Sequence, residues 1–314
     1  MKGLELARKY YESFGKNLFD ESFSDVKKYV CVGLFGEGSE CYGFDDEVSC
    51  DHDFEPAFCI FIPDDVNLVS EKSAFELERA YAKLPKEFLG YKRQNVAPVG
   101  GQRHGVIRTG EFFEKKIGKK SGPLSLDEWV TIPSFYLSEC TNGEIFDDHY
   151  GEVSKIRRYL SDMPKDAMLK KLAGHLLLAA QSGQYNYPRC IEHKETGAAQ
   201  IAAFEFVKNV LSSIFLLNGK HMPYYKWQFR MLTDLPKLSE LKEPLEYLIS
   251  TDNSPKTADG KYEIIEDISS ILIDEIKRRN LTDAICGDLE KHAYSVNDKI
   301  KDFDLKSKNI LYGI

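Results

Sequence analysis

Asp51-His52-Asp53 is the stretch of this sequence best equipped for chemistry. Eleven residues separate it from a Gly38-Ser39 pair. On an extended backbone, residues two apart share a face, which would place the two carboxylates about 6 to 7 Å apart. That spacing suits two acids that share one or two hard divalent cations. Mg²⁺ in particular takes oxygen ligands from one or two carboxylates and from substrate phosphates. Gly36 and Gly38 let backbone amides approach an anion with no Cβ in the way, and the Ser39 hydroxyl adds a donor. The opposing reading is a solvated acidic loop before a strand. Residue chemistry by itself leaves both open.

The elements around this stretch are expected as follows. A helix over "LELARKYYESFG" stops at Gly15. A buried strand over "KKYVCVGLFG" leads into the Gly-Ser turn and a short helix. A second strand runs from about Asp51 to Ile62 and ends at Pro63, and a helix capped by Ser70 or Ser73 follows. "YKRQNVAPVGGQRHG" reads as a loop and "GVIRT" as a short strand. "SLDEWVTIPSFYLSECTNG" reads as a helix broken at Pro133, and "GEIFDDHYG" as a strand and turn. Beyond Gly151 helical periodicity takes over. The segment 196–219 is apolar on all sides and reads as a buried central helix. The expected fold is α+β: a small mixed-sheet domain over 1–150, then an all-helical bundle over 151–314.

The 314 residues are 42% hydrophobic and 29% charged, with a net charge of −8. The acidic balance argues against a long nucleic acid as partner. No signal-type segment opens the chain, and the apolar run at Val210–Leu217 is short for a bilayer, so a cytoplasmic protein without a membrane partner is expected. Seven cysteines, an odd number with no Cys-x-x-Cys pair, read as free thiols.

The order Gly-Ser, spacer, Asp-x-Asp resembles the nucleotidyltransferase superfamily, which includes polymerase β and kanamycin nucleotidyltransferase. More closely, "GSECYGFDDEVSCDHDF", "NGEIFDDHYGE" and "PYYKW" resemble an uncharacterised domain-of-unknown-function family, DUF4037, over about residues 25 to 235. The resemblance implies that Gly38 and Ser39 hold the phosphates of a nucleoside triphosphate, ATP included. It implies that Asp51 and Asp53 are catalytic and ligate Mg²⁺, as one ion or two. The reaction implied is transfer of a nucleoside monophosphate to a hydroxyl on a small molecule or a protein side chain. The superfamily's third carboxylate belongs on a later strand, but His104–Gly110 carries no acid, and Glu111, Asp147 and Asp148 do not match the pattern. That departure supports an alternative, a nucleotide-binding regulatory or interaction module with impaired catalysis.

Other residues complete the expected nucleotide site. Lys226 would neutralise triphosphate from the helical side, Tyr225 would stack on a base or acceptor, and Arg108 would approach the phosphates. For the segment 223–229 the opposing reading is aromatics in a helical core with Lys226 in solvent. Arg103 and His193 are weaker candidates. His175 reads as a packing histidine, and Asp45 and Asp46 as turn residues.

Overall fold

A computed structural model describes residues 1–48, 54–93 and 104–314. The chain forms two units, one of residues 1–123 and 135–162 and another of residues 124–134 and 163–314. The fold is α+β, as the sequence predicts.

Unit 1 is built on a four-stranded sheet. Its strands are β1 (Cys31–Leu34), β2 (Cys59–Ile62), β5 (Gly105–Arg108) and β6 (Glu144–Asp148), in the order β5-β2-β1-β6. A two-stranded ribbon of β3 (Glu87–Phe88) and β4 (Tyr91–Lys92) lies apart from it in the pairing. β1 runs antiparallel to β2 and β6, and β2 runs parallel to β5. The two central strands are buried throughout, which is why "CVGL" and "CIFI" lack the alternation of a half-solvated sheet.

Helices α1 (Gly3–Tyr10), α2 (Lys16–Ser22), α3 (Ser24–Lys27), α4 (Glu71–Ala82) and α5 (Thr109–Ile117) belong to this unit. Then comes α6 (Leu126–Thr131), which belongs to unit 2, followed by α7 (Ser134–Thr141) and α8 (Glu152–Ser161). One core cluster joins Tyr10, Tyr11 and Phe19 to Val32, Phe58, Ile60 and Tyr81. A second gathers Ala7, Phe35, Phe61 and Val153, with the Phe35 and Phe61 rings stacked at 4.4 Å.

Two expectations need correction here. Gly15 does not stop the first helix. Tyr11–Gly15 is a π-helical segment and the chain continues into α2. A Cβ at Gly15 would lie 2.4 Å from the Tyr11 ring and 2.8 Å from the Phe58 ring, so glycine is there for close packing. The second strand is also shorter than expected. Residues 54–58 are irregular and β2 begins only at Cys59. The same-face spacing of Asp51 and Asp53 therefore cannot be derived from that strand. Other signals hold: Ser70 caps α4 by accepting from the Ser73 amide, and the chain breaks between α6 and α7 at Pro133.

Unit 2 is helical. It contains α6, α9 (Lys165–Ala179), α10 (Tyr187–Glu192), α11 (Thr196–Leu217), α12 (Gln228–Thr233) and α13 (Lys242–Ser250). It ends with α14 (Ala258–Arg278), α15 (Leu289–Asp298) and α16 (Phe303–Ser307). α9 passes into a π-helical segment, Ala180–Asn186, before α10. α11 is the central helix, burying Phe206, Val210 and Ile214 among others. Its 22 residues, longer than the run Val210–Leu217 suggests, are apolar enough by length to cross a bilayer, with 61% of that window buried within the protein.

Candidate functional site

The sheet register brings four strand ends to one edge. Gly33 faces Cys59, Leu34 faces Glu144, and Cys59 faces Gly105. β1 leaves the sheet at this edge, while β2, β5 and β6 enter it. The turn that follows β1 runs through Gly36 (φ +119°) and Gly38 (φ +107°), a backbone that favours glycine. Asn142, just ahead of β6, clamps the turn. Its side-chain carbonyl accepts from the Gly36 amide and its amide donates to the Gly36 carbonyl, each at 2.8 Å. Ser39 is buried and begins a 3₁₀ turn, Glu40–Tyr42, and its carbonyl accepts from Tyr42 and Phe44.

Glu40, which the sequence reading passed over, is buried within this turn. Its carboxylate fills the space where a Gly38 side chain would begin, 2.5 Å from the ideal Cβ position. The signal was its place next to Ser39. Three chain segments converge at Gly3. Glu40 and the Phe54 ring both pack against it, and the Gly3 amide donates to Asp45 Oδ2 at 3.0 Å. Asp45 is buried, beyond what a turn residue requires, and its Oδ1 has no hydrogen-bond partner among the described residues.

A third acid at this edge is Glu55, whose Oε1 lies 3.1 Å from His104 Nδ1, both side chains being largely buried. Lys116 of α5 is a buried cation beside the turn, held between Glu37 and Glu139. Burial works against its charge, but the two carboxylates prevail and raise its pKa. Arg157 lies over the Phe35 ring at 4.2 Å and donates to the carbonyls of Thr141 and Asn142, so it supports the clamp. Burial pushes the thiol of Cys59, the first residue of β2, up to about 12, so it is protonated and inert. The cysteines described are free.

Asp51 and Asp53, with His52 between them, and Arg103 lie outside the described residues. Of the remaining expected residues, Gly38 and Ser39 sit together at the four-strand edge. Arg108 sits at the opposite end of the sheet, paired with Ile62. Its guanidinium donates to the carbonyls of Pro63 (2.6 Å) and Val69 (3.0 Å) and to Glu71 (2.7 Å). Asp147 and Asp148 also lie at that far end. Asp147 accepts from Tyr11, and Asp148 caps α8 through the amides of Gly151 and Ser154. Lys226 and Tyr225 belong to unit 2 and are exposed on a 3₁₀ turn, Tyr225–Trp227, with Tyr224 and Tyr225 in ring contact. Among the described residues no three His, Cys, Asp or Glu gather closely enough to hold a metal ion.

These features define an α+β protein with a glycine turn, buried acids and a buried lysine at one sheet edge. The model of a family described as a domain of unknown function (DUF4037) matches residues 129–228, from α6 to the start of α12. No curated protein and no solved structure matches the chain.

Proposed function

We propose that the four-strand edge of unit 1 binds a metal-chelated nucleoside triphosphate and transfers its nucleoside monophosphate to a hydroxyl acceptor. One observation carries this reading. The glycine turn after β1 shares its edge with the start of β2, and Phe54, the residue after Asp53, packs on the same Gly3 as Glu40. Asp51 and Asp53 themselves lie outside the described residues, and on this reading they act together with Gly38 and Ser39.

The donor chemistry fits Mg²⁺. Glu40 and Asp45 offer hard oxygens, and the buried Asp45 Oδ1, without a partner among the described residues, is suited to a cation. A carboxylate packed over Gly38 repels a bare triphosphate and favours one whose charge is chelated. Bound Mg²⁺ would neutralise charge on the phosphates and the attacking oxygen. The chain's own part is to hold the turn amides and Ser39 toward the phosphates, with Lys116 as a nearby positive charge. The acceptor oxygen attacks the α-phosphorus in line, its bond to phosphorus forms, and the bond to pyrophosphate breaks. The acceptor's proton passes to a carboxylate at this edge, for which Glu40, Asp45 and Glu55 are the described candidates. A module that binds nucleotide without turnover is the second reading, favoured by β5, whose Gly105–Arg108 strand bears no acid.

The test is titration calorimetry with ATP, with and without Mg²⁺, paired with pyrophosphate release. The parent is expected to bind MgATP, and Asp53→Asn to lose that binding with stability changed by less than about 0.5 kcal/mol. Equal MgATP affinity of the parent and Asp53→Asn would remove the acids from the site. Binding without pyrophosphate release in the presence of varied hydroxyl acceptors would favour the second reading.

A further inference from the structure

Unit 2 carries a half-open cavity of about 360 Å³, the size of a small-molecule site. Its walls come from α9, α11 and the chain at Pro133–Ser134, with Met222 and Ile314 closing it. We propose that this cavity binds a small organic anion, a carboxylate or phosphate head on an apolar body.

The charge balance of the lining is the main argument. Lys171, Lys208 and Lys220 line the cavity against one acid, Glu205. Glu205 is engaged by Lys208, with both carboxylate oxygens 3.1 Å from its amine. Lys171 is 5% exposed, and its amine donates to the Val130 carbonyl at 2.7 Å, which uses one of three donors. Burial lowers its pKa to about 8, and no carboxylate among the described residues offsets that. One turn along α9, His175 meets Asn209 Oδ1 at 2.9 Å. Burial first, then the charges of Lys171 and Lys208, bring His175 down to about 4. Lys171 is thus the buried lysine of the three, Lys208 and Lys220 being exposed, and a buried positive charge without a counter-charge is costly. An anion entering the cavity would supply what the protein does not.

The rest of the lining suits an apolar body. Leu178, Phe215, Leu216 and Met222 face the cavity, and Met222 is held in place by its amide donating to Ser134 Oγ at 2.7 Å. All the lining except Gly313 and Ile314 falls within residues 129–228, the stretch matched by the family. The proposal does not rest on the nucleotide reading, because neither the site nor its probes involve unit 1, nucleotide or Mg²⁺.

The test is titration calorimetry of the full chain with 4-phenylbutyrate, phenyl phosphate, inorganic phosphate and the uncharged 4-phenylbutanol. The two aryl anions are expected to bind, and the alcohol and inorganic phosphate to bind at least about ten-fold more weakly, since the charged contact and the apolar contact are both needed. Tighter binding of phenyl phosphate assigns the natural head as a phosphate ester, and tighter phenylbutyrate assigns it as a carboxylate. Lys171→Met should lower affinity about ten-fold. Because Lys171 also ties to Val130, two further variants guard against misfolding: Lys208→Met, which removes an exposed charge, and Ser212→Phe, which fills the cavity. Circular dichroism confirms that each is folded. Failure of the parent to bind either aryl anion at millimolar concentration overturns the proposal, as does parent-like affinity in folded Lys208→Met and Ser212→Phe.

Discussion

At the scale of single residues, Gly38 and Glu40 share one small volume. Gly38 holds a φ of +107°, where a side chain is strained, and the Glu40 carboxylate occupies the place of its missing Cβ. Gly38→Ala is therefore expected to cost about 1 to 3 kcal/mol from backbone strain, with a further steric part. The carboxylate is the free end of its side chain and can turn aside. Strain is then the larger share, and a Glu40→Ala background should relieve less than half of the cost. Urea denaturation of the two single variants and the double variant measures this. A Gly38→Ala cost below about 0.5 kcal/mol would show that the turn does not need its positive φ. Of these two residues only the glycine was legible in the sequence, because Gly-x-Gly-Ser advertises an unusual backbone. The burial of Glu40 and Asp45 was not. Acidic residues in a turn signal solvent, and only the convergence at Gly3 reverses that. Lys116 was missed for a related reason, since its two partners, Glu37 and Glu139, are far apart in sequence.

Among the elements, short-range signals carried well and long-range ones did not. Ser70 and Pro133 act within a turn of themselves, so a cap and a break could be read directly. The first strand and the central helix were equally plain from their apolar patterns. The extent of β2 depends on its partners, since Cys59 is where pairing with Gly33 and Gly105 begins, and no local pattern marks that point. Arg108 flanks the short strand that follows the Gly-rich loop and was expected near phosphates, yet the parallel register of β5 carries it to the far end of the sheet. Asn142 is the element-level device that matters most to the turn, joining the entry of β6 to the exit of β1 through two hydrogen bonds. Asn142→Asp keeps the acceptor but loses the donor, leaving the Gly36 carbonyl facing a carboxylate. The expected loss is about 1 to 3 kcal/mol, read by thermal unfolding. On the nucleotide reading, MgATP affinity should fall as well. Unchanged stability in Asn142→Asp would mean that the clamp does not hold the turn.

For the whole molecule, the order of residues along the chain is not the order of the units. Residues 124–134 fold with unit 2, although residues 135–162 return to unit 1 before the rest of unit 2 begins. A cut after residue 162 therefore removes α6 from the helical unit. That helix contributes Trp129 and Val130, both fully buried, with Trp129 stacked on His221 at 6.3 Å. It also provides the carbonyl that accepts from Lys171, and the Lys308–Asp127 pair joins the two ends of the unit. Losing a buried tryptophan costs about 3 to 5 kcal/mol, a large part of the stability of an ordinary domain. The fragment 163–314 also leaves Lys171 without its acceptor, and a buried amine lacking a partner adds to the loss. This fragment is expected to be helical by circular dichroism yet to unfold without a sharp transition. A synthetic peptide of residues 124–134, added in excess, should restore a cooperative urea transition by binding the folded form. The same peptide with Trp129→Ala should restore much less. If the fragment alone unfolds as sharply and at the same urea concentration as it does with the peptide, α6 is dispensable to the helical unit.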